Sequence, residues 1–372
     1  MTVLILALSA AYLLALIVEN RRLERARRKL RHVIHVNGTR GKSTVCRLID
    51  AGLRAGGWRV FCKTTGTDPM TIDVGNEEKS IHRRGRPNIK EQIGIVMQAA
   101  SQGAEVLVAE CMALQPELQY TAQHRILRAD IGVITNVRRD HTDVMGETPE
   151  EICAALCNTV PKGGILFTAE RDRAAQLAAA AEKSGSRFVA AYPGGDEPDF
   201  DFRENIALAL AVCEHLGVPA DIALAGMAHF RRDPYALCTY RVGEGLWINA
   251  LSVNDVDSTC MVWEQLREKY ALTDKKLILL INNRPDRGSR TRDMLLLCER
   301  LKPACVWLMG ASRGYMAARL KRRNIKYRRL SGVKALRRDD AGADEVVFAV
   351  GNIALDGRKL VGFMREEGTR VV

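Results

Sequence analysis

Apolar positions follow three patterns along this chain. Thr2 to Val18 is an almost unbroken apolar run, broken off at once by Glu19 and a cluster of arginines. Farther on, short aliphatic and β-branched runs recur at Val33–Val36, Trp58–Cys62, Ala104–Ala109, Ile131–Thr135, Gly164–Thr168 and Arg187–Ala191. They recur again at Lys276–Ile281, Cys305–Met309 and Val346–Val350. Between these runs apolar residues fall at helical spacing, as at Val45, Leu48, Ile49 and Leu53. Continuous apolar strands alternating with amphipathic helices predict an α/β fold with a parallel sheet covered on both faces. A hairpin is expected from Tyr235–Tyr240 through Val-Gly-Glu-Gly to Leu246–Ala250. At 372 residues the chain exceeds one core. The expected division is an anchor and basic stem over 1–31, a nucleotide-binding α/β domain over 32–240, and a smaller Rossmann-like α/β domain over 241–372.

The first run has the length of a membrane span: seventeen residues at about 1.5 Å each reach roughly 26 Å. A cleavable leader would carry its positive charge before the run and a small-residue site after it, whereas here seven basic residues follow it between positions 21 and 31. A single-pass anchor with the catalytic body on the cytoplasmic side is expected; the competing reading is an apolar helix buried by the protein itself.

Composition narrows the possibilities. Hydrophobic content of 47% and charged content of 27% are those of a globular protein. The formal net charge of +12 invites a nucleic-acid reading, but aromatic content of 5% offers no stacking platform, and no nucleic-acid partner is expected. The ten cysteines are scattered singly except Cys153 and Cys157, which share a helical face with no histidine pair to complete a zinc site. They read as reduced thiols.

Chemistry concentrates where strands end. After Val33–Val36 the chain reads Asn37-Gly38-Thr39-Arg40-Gly41-Lys42-Ser43-Thr44, a strand, a glycine turn and a helix. Such a turn aims backbone N–H groups at a polyphosphate, with Lys42 supplying charge and Ser43 a hydroxyl for Mg²⁺. Val36 stands where the general phosphate-loop motif has its first glycine, so the loop is short. The second strand runs into Lys63-Thr-Thr65-Gly-Thr67, the third into Glu110, and the fourth into Asn136-Val-Arg138-Arg139-Asp140-His141-Thr-Asp143. Strand C-termini are where open α/β sheets bind ligands, and Glu110 there is a candidate Mg²⁺ ligand. Each of these alone is weak, since a strand-end glutamate is commonly a solvated terminus and a glycine turn can be merely structural.

As a set, Asn37 to Thr44, Glu110 and Asn136-x-x-x-Asp140-His141-Thr-Asp143-x-x-Gly146 resemble the ATP site of the Mur ligase and folylpolyglutamate synthase superfamily. Arg203-Glu204-Asn205 resembles the segment whose asparagine contacts adenine there. The apolar anchor, the arginine stem and the loop Asn282 to Arg290 further resemble the poly-γ-glutamate synthases of the CapB/PgsB type, over nearly the whole chain.

The resemblance implies a Mur-ligase-like central domain and an ATP-dependent ligase that joins glutamate through γ-linked amides by way of an acyl phosphate. It implies ATP and Mg²⁺ as cofactors, Lys42, Glu110 and His141 as catalytic residues, and Ser43, Glu110 and His141 as metal ligands. Asn37 to Thr44 and Asn205 would bind ATP. Implied partners are glutamate and its polymer, the membrane, companion membrane subunits and further copies of the chain.

Two positions depart from the superfamily. Leu156 stands where a metal-binding, often carbamylated lysine is found, with Lys162 the next lysine, and Asn249 to Asp255 replaces the aspartate motif that contacts ribose. Thr65, Thr67, Arg84, Arg86, Arg138, Arg231, Arg284, Arg287 and Arg290 are expected to bind substrate, the arginines forming a basic track for a polyacidic chain. A solvated basic surface is the plainer reading of any one of them. Rival readings of the whole are another Mur-type amino-acid ligase, a phosphate-loop kinase or NTPase, and a basic membrane-tethered scaffold without activity.

Overall fold

The computed structural model describes residues 2–371 except 67, 68, 84, 86, 196, 197, 199, 200, 234, 254, 255, 284–287 and 354, and except the side chains of 288–290. The chain forms two compact units, Met1–Arg232 and Asp233–Val372.

The first unit opens with helix α1 (Thr2–Arg27), whose apolar residues up to Val18 are exposed while Leu23 is buried. It is long and apolar enough to cross a membrane. Then come β1 (His32–Asn37), α2 (Lys42–Ala55), β2 (Val60–Thr64), β3 (Met70–Ile72), β4 (Glu78–Ser80), α3 (Glu91–Ser101) and β5 (Val106–Glu110). The rest is α4 (Pro116–Thr121), a π-helical turn Ala122–Leu127, β6 (Ile131–Ile134), α5 (Thr142–Met145), α6 (Pro149–Leu156), β7 (Ile165–Thr168), α7 (Ala174–Lys183), β8 (Arg187–Ala190), α8 (Arg203–His215) and α9 (Ala220–Ala228).

The strands lie in the order β4-β3-β2-β5-β1-β6-β7-β8. All neighbours pair in parallel except the β2–β3 and β3–β4 pairs, which are antiparallel. The β3–β4 hairpin is not among the runs expected from the sequence, because strands of three residues leave no periodicity to read. One sheet face is covered by α2, α8 and α9, the other by the end of α1, α3, the π-helical turn, α6 and α7. Because β1, β2, β5 and β6 are parallel and adjacent, their C-terminal ends line one edge.

The second unit contains β9 (Cys238–Val242), β10 (Gly245–Asn249), α10 (Val256–Lys269), β11 (Lys276–Asn283), α11 (Gly288–Leu301), β12 (Cys305–Gly310) and α12 (Arg313–Arg322). It closes with β13 (Tyr327–Arg329), β14 (Glu345–Gly351), α13 (Asp356–Glu367) and β15 (Gly368–Val371), the strands ordered β13-β12-β11-β14-β10-β9-β15. The expected hairpin is the antiparallel β9–β10 pair. Strands β13 and β15 went unread because Tyr-Arg-Arg and Gly-Thr-Arg-Val are short and charged edge segments. Gly351 and Asn352 form a turn packed on β11, with Asn352 N donating to Asn282 O at 2.9 Å.

Candidate active site

The chain leaves β1 at Asn37 and turns through Gly38 and Gly41, at φ 126° and 78°, to start α2 at Lys42. Neither position has room for a side chain: a Cβ would lie 2.1 Å from Thr135 Oγ1 at Gly38 and 2.8 Å from Asn205 Oδ1 at Gly41. No side chain caps the first turn of α2 from Gly41, so its N–H groups and the positive end of the helix dipole are left for an anion. Lys42 folds back on the loop, its Nζ donating to Gly38 O at 2.7 Å and Thr39 O at 3.2 Å.

The loop is held by the neighbouring strand. Asn37 pairs with Ile134 in register, which sets Thr135 and Asn136 against positions 38 to 40. Asn136 Oδ1 accepts from Arg40 N at 3.0 Å and from Thr39 Oγ1 at 2.7 Å, while its Nδ2 donates to Arg40 O at 3.1 Å. Thr135 Oγ1 donates to the same carbonyl at 2.6 Å, and Arg138 N donates to Thr39 Oγ1 at 2.9 Å. Arg40 Nη2 stands 3.3 Å from Asp140 Oδ2. Asn136 stands in its sequence motif with no local sign of this latching role; the available signal is its place just after a strand that must neighbour β1. The Asn37 side chain is turned into a buried network instead, donating to Gln119 Oε1 at 2.9 Å and Thr159 Oγ1 at 3.2 Å.

Glu110 ends β5 in register with Val36 and is buried. Its Oε2 accepts from Ser43 Oγ at 2.7 Å and from Thr65 N at 2.6 Å. A carboxylate and a hydroxyl joined beside a phosphate loop are the hard oxygen donors that Mg²⁺ takes. His141 lies in another group: at φ 48° it begins α5, with Nε2 3.7 Å from Asp140 Oδ2. Among the described residues no three His, Cys, Asp or Glu side chains converge on one metal position.

Asn205 lies in the first turn of α8, its Nδ2 donating to Asp201 Oδ1 at 3.0 Å and its Oδ1 lying against Gly41. Burial pushes the Asp201 carboxyl up, opposed by Asn205 and by Arg232, whose Nη1 is 3.2 Å away.

A buried charge pair beneath the site was missed. Lys63, wholly buried in β2, sits 3.0 Å from Glu91 Oε1, and Arg83 grips the same carboxylate at 2.6 and 3.0 Å. Burial pushes the Lys63 ammonium down while Glu91 holds it up. A lysine inside an apolar strand directly before Thr-Thr-Gly was the available sign. On the same face, His35 Nδ1 lies 2.8 Å from Gln123 Oε1, and Gln123 Nε2 donates to Ala129 O at 3.0 Å. That orients the amide, so His35 carries its proton on Nδ1, and its Nε2 is a buried acceptor with no hydrogen-bond partner among the described residues. Burial lowers this imidazole to about 4.

The expected arginine track meets a mixed outcome. Thr67, Arg84, Arg86, Arg284 and Arg287 lie outside the described residues, as does the Arg290 side chain. Arg138 is exposed beside the loop, and Arg231 lends its carbonyl to Arg47, which also pairs with Glu78. Leu156 is packed in the apolar core of α6, so no lysine-like ligand extends from there. Lys162 cannot stand in for one: it precedes β7, at the opposite sheet edge from His141, with Nζ 6.0 Å from the Tyr120 ring centre. Asn249 is buried and donates to the carbonyls of Tyr235 and Ala236 at 3.2 and 3.0 Å.

The chain as a whole is similar to known proteins. Residues 36–216 match the Mur ligase middle domain and residues 237–367 the poly-gamma-glutamate synthase CapB C-terminal domain. The chain is 33% identical over 358 residues to the capsule biosynthesis protein CapB of Bacillus anthracis, covering 90% of this chain and 76% of that one. It is 34% identical to the PGA synthase CapB of Bacillus subtilis, covering 77% of each. A Yersinia pestis bifunctional folylpolyglutamate synthase/dihydrofolate synthase, solved with AMPPNP and Mn, superposes with TM-score 0.67 at 18% identity over 93% of this chain and 92% of that one. Escherichia coli FolC in complex with ADP superposes with TM-score 0.68 at 15% identity over 93% of each.

Proposed function

The chain belongs to the poly-γ-glutamate synthase CapB family, and from that premise we propose that it is an ATP-dependent ligase that polymerises glutamate through γ-linked amide bonds. The observation that carries this reading is the convergence of Ser43, Glu110 and Thr65 N beside the Gly38–Gly41 turn. Those oxygens suit a divalent cation, and relatives by fold were solved with a nucleotide and Mn. Ser43 and Glu110 would hold Mg²⁺, which supplies positive charge to the phosphate oxygens; His141 is assigned as a further ligand on its motif alone.

The chemistry follows from the poor leaving ability of a carboxylate oxygen. In the proposed route the γ-carboxylate of glutamate attacks the terminal phosphorus of ATP, and the bond to ADP breaks. The amine of a second glutamate then attacks the acyl carbon, the amide C–N bond forms, phosphate departs with the former carboxylate oxygen, and the amine loses a proton. Lys42 neutralises phosphate charge from its seat on the loop carbonyls, and the first-turn N–H groups of α2 hold the phosphates in line. Asn205, beside Gly41, is assigned to adenine. Arg138 and its neighbours would draw in the polyacidic acceptor. The apolar helix α1 would anchor the protein with its catalytic body cytoplasmic, beside companion membrane subunits.

Incubating the full chain in detergent with ATP, Mg²⁺ and single amino acids tests this reading. ADP release should depend on glutamate and be accompanied by γ-linked oligomers. ADP release at the same rate without any amine would instead identify a phosphate-loop kinase or NTPase.

A further inference from the structure

We propose that the N-terminal edge of the first unit's sheet rests on anionic lipid headgroups, which holds the nucleotide loop on the edge turned away from the bilayer. The proposal rests on the anchor reading of α1. That helix does not stop where its apolar run stops: it continues unbroken to Arg27 and docks. Leu23 is buried with Val33, Phe61 and Leu127. Arg27 donates to Leu127 O and Arg128 O, each at 2.7 Å, and Arg128 pairs with Glu24. Arg31 N then donates to Glu105 O at 2.8 Å. Residues 127, 128 and 105 all precede β6 or β5, so the helix joins the sheet at its N-terminal edge.

Helix geometry sets the separation. Five residues from Val18 to Leu23 rise about 7.5 Å, roughly the depth of a headgroup layer. The docking point therefore emerges at the outer margin of the headgroups. Since the central strands are parallel, the same edge carries the segments that enter β2, β7 and β8. There the side chains of Arg59, Lys162, Lys183 and Arg187 are exposed, with Arg28 and Lys29 beside the stem.

Two acidic groups on this edge are engaged within the unit. Glu105 is bridged by Arg31 at 3.2 Å and Arg59 at 3.5 Å, and Asp130 by His32 at 2.7 Å. Glu182 is exposed among the lysines, as is Glu214 next to His215, whose Nδ1 lies 3.3 Å from Arg187 Nη2, so the basic groups outnumber the free acids there. Trp58, half-buried just before β2 with the Arg31 guanidinium 4.9 Å from its ring centre, is an amphipathic ring of the type that favours the membrane interface. A basic surface held at headgroup depth by a span fits anionic lipid. The nucleotide loop, six strand residues away at the far end of β1, stands about 20 Å from this edge.

Amide hydrogen exchange of the full chain in phosphatidylcholine vesicles, with and without phosphatidylglycerol, tests the orientation. Segments 56–59, 161–164 and 183–187 should exchange about fivefold or more slowly on the anionic vesicles, and salt near ~0.5 M should reverse this. Loops 38–41 and 136–141 should be unaffected. Combining Arg59→Gln, Lys162→Gln, Lys183→Gln and Arg187→Gln should remove the slowing while the protein still floats with the vesicles. Unchanged exchange at the N-terminal edge, or slowing at 38–41, would overturn the proposal. Flotation separates the two readings: a chain that floats without the slowing removes the orientation alone, and one that fails to float on neutral vesicles removes the anchor with it.

Discussion

Lys42, Asn136 and His35 show how differently single residues announce themselves. Lys42 was legible because Gly-Lys-Ser-Thr after a β-branched run has few other uses. Lys42→Ala should abolish ligation in a protein that remains folded, a loss on the order of a thousandfold in rate; wild-type turnover would refute the assignment. Asn136 was not legible as a latch because its partners are the main chain of residues 39 and 40, nearly a hundred positions earlier. Asn136→Ala removes the acceptor of Arg40 N and Thr39 Oγ1 and one of the two side-chain donors to Arg40 O, so the KM for ATP should rise about tenfold or more. An unchanged KM would mean that the loop holds its shape without that side chain.

His35 is silent in the sequence, since an imidazole inside an apolar strand has no pattern. Its folded value of about 4 lies below the ordinary 6.5, so the unfolded chain binds the proton first. Its contribution is fully present above pH ~6.5 and is lost as pH falls toward ~4, up to about 3 kcal/mol. His35→Met should therefore reduce the acid-induced fall in the melting temperature of the first unit by several degrees, measured between about pH 7 and pH 4. An identical fall in variant and wild type would contradict the buried neutral imidazole.

At the scale of elements, long periodic strands and helices could be read and short ones could not. The apolar runs that became β1, β5, β6, β11 and β14 are buried on both faces, which is why they lack alternation. The strands β3, β4 and β13, of three residues each, are too short to show a period of their own. Helix α6 carries a functional consequence. Its Leu156 lies in an apolar cluster with Ile152, Cys153 and Leu166, and Lys162 is at the wrong sheet edge. A carbamylated lysine has no place there, and ligation should be indifferent to added bicarbonate. Bicarbonate-stimulated activity would show that another lysine reaches the site.

For the whole molecule, the family and the site's location could be read from four strand-end motifs, while the side chains that join them had to be seen in three dimensions. The positive charge is concentrated in the stem and in the second unit, where the stretch from Arg319 to Arg338 alone holds ten basic residues and no acidic one. Arg83 and Arg232 are committed to Glu91 and Asp201; the proposed track for the polymer draws on Arg84, Arg86, Arg138, Arg231, Arg284, Arg287 and Arg290. Replacing those last three with glutamine should shorten the product while ATP binding stays near normal; product of unchanged length would refute the track. The central claim is that this site activates a glutamate carboxylate with ATP. Supplying glutamate labelled with ¹⁸O in its γ-carboxylate tests it most directly. One labelled oxygen should appear in inorganic phosphate for each amide bond formed, and Lys42→Ala should abolish both. Amide formation that leaves the phosphate unlabelled would contradict the account.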